Sequence, residues 1–239
     1  YPAIIFERER EAGDQILNVE NLSAFSEDGD LLFKGVDLNL AKGDKVVIFS
    51  KDARATSAFY EIINGNKKAE SGEYQWGVTT NQSYLPADNS VFFKAQSNLV
   101  DWLRQWAKTE EEREEVHIRG FLGKMLFSGE EALKKATVLS GGEKVRCMLS
   151  RMMMLRANVL MLDEPTNHLD LESITAFNNS LKTFKGTLLM TTHDHEFAQT
   201  VANRVIEITP KGVIDRYLSF DDYMSDKDIR VQREKMYQV

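Results

Sequence analysis

Apolar and polar residues alternate with a period near two from Gln15 onward, through ILNVENLSAF, a polar turn SEDGD, and LLFKGVDLNL, where Val36, Leu38 and Leu40 share a face. That period predicts two strands joined by a turn. Lys42, Gly43 and Asp44 turn the chain into KVVIF, a short continuous apolar run of the kind buried on both faces of a parallel sheet. The period then lengthens. Phe59, Ile62 and Ile63 fall on one helical face, and Gly65 is placed to end that helix. EYQWG and SYLP predict further short strands. Leu99, Trp102, Leu103 and Trp106 form a helical stripe whose tryptophan pair belongs to a core, and a second helix is expected from about Val116 to Phe127. NVLMLDE, LESITAFNNSLKTF, GTLLMTTH, EFAQTVAN and RVIEIT then alternate strand with helix. The succession predicts a parallel α/β sheet interrupted by a helical insertion from about Val91 to Ala136. The closing stretch SDKDIRVQREKMYQV predicts a charged terminal helix.

With 239 residues, 42% hydrophobic and 28% charged, the chain has the composition of a globular protein able to bury a substantial core. No apolar run approaches the ~18 residues of a membrane helix, and no signal-peptide pattern opens the chain. Opening on Tyr1 rather than Met, it is expected to be a segment of something longer. The single cysteine, Cys147, cannot form an internal disulfide and falls in a helical pattern as a small buried residue, which points to a reducing cytoplasm. The formal net charge of −7 argues against whole-surface binding to nucleic acid but leaves room for a local basic face. The acidic cluster Glu110 to Glu115 is a solvated surface.

Chemistry concentrates at three places. VLMLDEPTNHLD runs an apolar strand into Asp163 and Glu164, with Pro165 forcing the chain away. A carboxylate at the C-terminal end of such a strand lies where α/β sheets bind ligands, and suits magnesium held together with substrate phosphates. Glu164, one position on, points elsewhere and can polarise a water. Alone, an Asp-Glu pair reads more readily as a solvated acidic turn. LSGGE (Leu139 to Glu143) opens a helix rich in Val145, Met148, Leu149 and Met152 on one side, with Lys144, Arg146 and Arg151 decorating it. Ser140 and the two glycines present a helix N-terminus to an anion; Ser140 with Glu143 also fits a capping box. His193 follows the strand GTLLMTT, a position that is often structural but that suits a γ-phosphate sensor beside Asp163 and Glu164.

LSGGE, then an apolar strand into DEPTNHLD, then a strand into THDH, resembles the ATPase domain of the ATP-binding cassette superfamily, from about Gln15 to Phe220. PTNHLD resembles the ABC-F branch, whose members carry two cassettes joined by a helical linker and act on ribosomes. YPAIIFEREREAGDQIL resembles the junction of that linker with the second cassette. The resemblance implies a P-loop NTPase of ABC type: a RecA-like α/β core with an antiparallel β subdomain and a helical subdomain at about 91–155. Residues 1–13 would then be the end of the linker, 14–220 the ATPase domain, and 221–239 a charged helical tail. It implies ATP and Mg²⁺ as ligands and, as partners, a second cassette and the ribosome, with no membrane. Asp163 would hold Mg²⁺, with Ser57. Glu164 would be the catalytic base and His193 the switch histidine. Asp170 would contact the partner cassette, and Ser140, Gly141, Gly142 and Glu143 would grip nucleotide bound by the opposite copy. Phe25 would stack on adenine.

The family places G-x-x-x-x-G-K-[ST] between the strand KVVIF and its helix. Here the stretch is Ser50, Lys51, Asp52, Ala53, Arg54, Ala55, Thr56 and Ser57. Ser50 and Ala55 replace the glycines, Thr56 replaces the lysine, and Ser57 fits. Glycine permits close backbone approach, and a lost hydrogen bond to a charged group costs about 1.5–3 kcal/mol. Weakened rather than abolished binding is expected, with Lys51 or Arg54 as substitute charge. After SYLP the family's glutamine is also missing, Ala87 and Asp88 standing there. Three readings follow: an ATP-hydrolysing cassette with a degenerate phosphate loop, a cassette that lends only LSGGE and serves as an interaction module, or the nucleotide-binding subunit of a transporter.

Overall fold

A computed structural model describes residues 1–238. Strands β1 (Gln15–Phe25), β2 (Leu31–Ala41) and β4 (Ser71–Trp76) form an antiparallel sheet in the order β2-β1-β4. The second sheet has the order β5-β6-β7-β3-β8-β9, built from β3 (Lys45–Phe49), β5 (Gln82–Leu85), β6 (Val159–Asp163), β7 (Thr187–Thr191), β8 (Arg204–Thr209) and β9 (Gly212–Arg216). Its first five strands are parallel and β9 closes the edge antiparallel to β8. β9 is an element that the hydrophobic pattern does not announce.

Strand alternation assigns each residue to a face. Val46 and Ile48 of β3, with Met161 of β6 and Leu189 of β7, pack with the antiparallel sheet and helix α1 (Ala53–Ile63). Val47, Leu160, Leu162, Leu188 and Met190 face the opposite core, shared with the helices. Both faces of the central strands are therefore buried, as the run KVVIF requires. Each large apolar side chain so buried contributes about 1.5–3 kcal/mol.

The helical region comprises α2 (Leu99–Arg104), α3 (Glu110–Arg113), α4 (Glu115–Lys124) and the long α5 (Gly141–Leu155). α2 stops before Trp106, yet the tryptophan stripe is core: Trp102 stacks on Phe93 at 4.9 Å and meets Trp106 edge-on at 4.8 Å. The acidic cluster is exposed as expected, although Glu110–Arg113 form a short helix there. Arg151 departs from its expected place on the helix surface. Its guanidinium is drawn between Phe92 and Trp106, at 5.2 and 4.7 Å, and its Nε and Nη1 have no hydrogen-bond partner. Burial lowers its pKa to about 10. The aromatic faces stand in for an anion.

The opening residues also depart from an unpatterned tether. Pro2, Ile4 and Phe6 are alternately buried, Phe6 packing edge-on to Phe177 and Phe184. The Ala3 N–H donates to the Lys124 carbonyl and the Glu9 N–H to that of Arg156, so this segment is tied to the C-terminal ends of α4 and α5. After β6 come α6 (Leu171–Thr183) and α7 (His195–Val201), and the chain ends in α8 (Phe220–Ser225) and α9 (Lys227–Tyr237). Val239 lies outside the described residues.

Candidate functional site

The C-terminal ends of β3, β6 and β7 converge on one place. β3 delivers the segment 50–57 and α1. The helix begins without glycine because it needs none: no residue from 50 to 57 has a positive φ. Asp52 is the N-cap, its carboxylate accepting from the Arg54 N–H at 3.0 Å. That carboxylate lies where an incoming phosphate would be welcomed by the helix terminus. The Arg54 guanidinium is in turn committed to Asp52 (2.8 Å) and Asp30 (3.1 Å), and these contacts raise its pKa. Arg54 is therefore not a free cation. Asp30 ends the turn that follows Phe25, which is partly exposed at the end of β1.

Thr56, at the position of the missing lysine, is 2% exposed and donates its hydroxyl back to the Ala53 carbonyl at 3.0 Å. Ala55 is fully buried. Ser57 donates to Asp163 Oδ2 at 2.7 Å, joining α1 to β6. The N–H of Lys51 donates to the Tyr237 hydroxyl at 3.0 Å and its ammonium lies 4.5 Å from that ring's centre, so its charge is directed at Tyr237.

Burial pushes the Asp163 carboxyl up to about 6, partly offset by the Ser57 hydroxyl. Glu164 follows with φ 55°, a left-handed conformation that swings its side chain off the strand line. Its Oε1 lies 3.0 Å from His193 Nε2, whereas its Oε2 is buried with no partner. Burial raises the Glu164 pKa and His193 opposes the rise. Beneath them, residues with no sequence signature brace the floor. Tyr60 of α1 meets Thr191 Oγ1 at 3.0 Å, and Thr191 donates to the Ile48 carbonyl at 2.7 Å. A cavity of about 180 Å³ separates Ser50, Ala53 and Thr56 on one side from Glu164, His193 and Phe220 on the other. It has room for a phosphate group or several waters, at about 30 Å³ per water.

The structure therefore brings together Ser57, Asp163, Glu164, His193 and the segment 50–57. Among the described residues, LSGGE makes no hydrogen bond to that segment. Ser140 caps α5 with a full capping box: Glu143 N–H to Ser140 Oγ at 3.2 Å, and Ser140 N–H to Glu143 Oε1 at 3.1 Å. Lys134 holds the second Glu143 oxygen at 2.9 Å. The glycines have a packing reason. A Cβ on Gly142 would stand 2.6 Å from the His168 carbonyl oxygen, and one on Gly141 3.2 Å from the His168 ring. Asp170 caps α6 by accepting from Ser173 N–H at 2.7 Å.

Among the described residues, no three His, Cys, Asp or Glu side chains form a metal cluster. A divalent cation at Ser57 and Asp163 would depend on further oxygens from a ligand, which is how Mg²⁺ is commonly held with substrate phosphates.

The ABC transporter family model matches residues 33–167, more than half the chain. The chain belongs to the ABC transporter family. Cassettes of this family bind ATP and generally hydrolyse it. This cassette is 50% identical over 238 residues to the ABC transporter ATP-binding protein YkpA of Bacillus subtilis, covering 99% of the chain and 44% of that protein. It is 29% identical to ABC transporter F family member 5 of Arabidopsis thaliana, covering 94% of the chain and 32% of that protein. The energy-dependent translational throttle protein EttA of Haemophilus influenzae is 27% identical, over 88% of the chain and 38% of its own length. The cassette thus spans less than half of each of these relatives. A dimeric ATP-binding cassette in a post-hydrolysis state, bound to ADP and Pi, superposes with a TM-score of 0.70 at 19% identity, over 85% of this chain and 99% of that one. The fold is that of a P-loop ATPase of ABC type. Among the described residues no helix is long and apolar enough to cross a membrane.

Proposed function

We propose that the chain is an ATP-binding and ATP-hydrolysing cassette of an ABC-F-type protein, the second of two, acting on the ribosome in translation in the cytoplasm. The observation that carries the catalytic part is that Glu164 and His193 line one cavity beside the Ser57–Asp163 pair, with the Glu164 Oε2 buried and without a partner. A buried carboxylate oxygen without a donor is costly unless a ligand or water supplies one. The names of the relatives that include an F-family member and a translational throttle support the ribosomal part.

In this reading the N-terminus of α1 and Ser57 receive the ATP phosphates, and Phe25 lies under the base. Ser57 and Asp163 hold Mg²⁺, which when bound neutralises phosphate charge. Glu164 accepts a proton from the attacking water as that water's oxygen bonds to the γ-phosphorus and the bond to ADP breaks. Burial raises its pKa, which makes it a stronger proton acceptor than an ordinary carboxylate. His193 orients Glu164 and meets the γ-phosphate. Ser140, Gly141, Gly142, Glu143 and Asp170 face the nucleotide of a second cassette.

Glu164→Gln keeps the shape and removes the base. In the two-cassette assembly it is expected to lower hydrolysis about 10²–10⁴-fold while ATP stays bound; unchanged turnover refutes the role.

One observation favours the second reading, a cassette that lends its signature without turning over ATP itself. The phosphate segment holds an acidic cap, its arginine is spent on Asp52 and Asp30, and Thr56 is turned inward. Calorimetric titration with Mg-ATP, repeated on Thr56→Lys, separates the two. Micromolar binding by the wild-type chain, only modestly improved by lysine, supports hydrolysis at its own site. Binding that appears only in the variant supports the signature donor.

A further inference from the structure

The terminal helix α9 reaches the segment 50–57 from outside the cavity. Its inward stripe is Ile229, Arg233, Met236 and Tyr237, at helical spacing. Only Ile229 on this helix is fully buried, so polar contacts hold it. Their anchor is Glu207 on β8, which is wholly buried. Its carboxylate accepts from the Tyr223 hydroxyl (2.8 Å), Arg233 Nε (2.6 Å) and the Tyr237 hydroxyl (2.6 Å). A buried carboxylate depends on such donors, so α9 and β8 hold one another.

The Tyr237 hydroxyl has lone pairs to spare after donating to Glu207. It accepts the N–H of Lys51 at 3.0 Å, while the ring receives the Lys51 ammonium at 4.5 Å. Lys51 follows directly on Ser50, at the point where the chain leaves β3. From this segment Ser50, Ala53 and Thr56 line the cavity, and Lys51 is not among its lining residues. The tail therefore grips the outer edge of the segment and leaves its inner edge open.

We propose that Tyr237 is a positioning residue for the phosphate segment: α9 is a strap that ties the first turn of residues 50–57 to the sheet. The strap adds from outside a constraint to those that the Asp52 cap and the Asp52–Arg54 pair supply within the segment. The consequence for affinity rests on the reading that this segment binds nucleotide. Coupling between sites is reciprocal, so if strap docking favours ATP, ATP must favour strap docking by the same factor.

The test uses the intact chain, Tyr237→Phe, and a variant ending after Asp226 that removes α9. Tyr237→Phe keeps the ring beside Lys51 and deletes only the hydroxyl. Amide hydrogen exchange is followed by mass spectrometry, without nucleotide and with Mg-ATP, and a fluorescent ATP analogue is titrated. Expected are severalfold faster exchange in residues 50–57 of both variants, with β6 and β7 unchanged, and about fivefold weaker analogue binding in Tyr237→Phe, the worth of one neutral hydrogen bond. Mg-ATP should also slow exchange across residues 227–237 of the wild-type chain, a response that a merely structural tail would not give.

Unchanged exchange in residues 50–57 of both variants overturns the strap, whether or not ATP binds. A loosened segment that still binds the analogue at wild-type affinity overturns the coupling. A wild-type chain that binds no nucleotide, while Tyr237→Phe loosens the segment, supports the strap and refutes the nucleotide reading instead.

Discussion

Glu164 holds its carboxylate in place at the cost of its own backbone. A left-handed conformation costs a side chain of this size about 1–2 kcal/mol, and the buried Oε2 adds an unmet polar group. Asparagine tolerates that conformation better. Glu164→Asn is therefore expected to raise the stability of the nucleotide-free chain by about 1 kcal/mol, read as a higher urea midpoint, while ATP turnover is lost. A lower midpoint would show that the conformation is not strained. Asp163, Glu164 and His193 were legible in the sequence because each stands at or within two residues of the C-terminal end of a buried parallel strand, which is an address in itself, and because LSGGE and DEPTNHLD resemble the motifs of a known family. Tyr60 and Tyr237 were not. The Tyr237 hydroxyl meets a backbone N–H 186 residues away, and no local pattern encodes such a meeting. Arg54 was visible as a charge, but its commitment to Asp30 depends on how a hairpin folds over the start of α1.

Among the elements, strands and long helices followed from periodicity because burial on two faces or one imposes it. β9 escaped because GVIDR is short and pairs at an edge, where one face is only half covered. Its joint with β8 contains a buried ion group. Arg204, 4% exposed, donates to Asp44 at 2.8 Å and to Asp215 at 2.5 Å, and Tyr217 covers its guanidinium at 4.8 Å. Three elements meet there: the turn into β3, β8 and β9. Arg204→Ala leaves Asp44 and Asp215 without their cation and should cost about 3–5 kcal/mol, measured by urea unfolding at pH 7. A loss below about 1 kcal/mol would place the group among weak surface pairs.

For the whole molecule, the two ends of the chain are structural rather than loose. The opening residues are tied to the ends of α4 and α5, and the tail docks through α8 and α9. α8 is joined to α7 by His195 and Asp221, 2.5 Å apart, and the carboxylate raises the histidine pKa. The sign follows from linkage. The folded state favours the protonated ring, so this contribution is complete below the unfolded value of about 6.5 and disappears as pH rises through the higher folded value. Thermal unfolding followed from pH 5.5 to 8.5 should show the wild-type chain losing stability relative to His195→Gln across that interval. Parallel curves would show that the pair contributes nothing. Because the pair is exposed, added salt should shrink the difference.

The close approach of His168 to Gly142 has a mechanical consequence. With 2.6 Å between the His168 carbonyl oxygen and the place a Cβ would occupy, there is no slack between the turn after Glu164 and the first turn of α5. The two segments mesh like teeth of a gear. A side chain at position 142 would have to wedge the turn after Glu164 away from the first turn of α5.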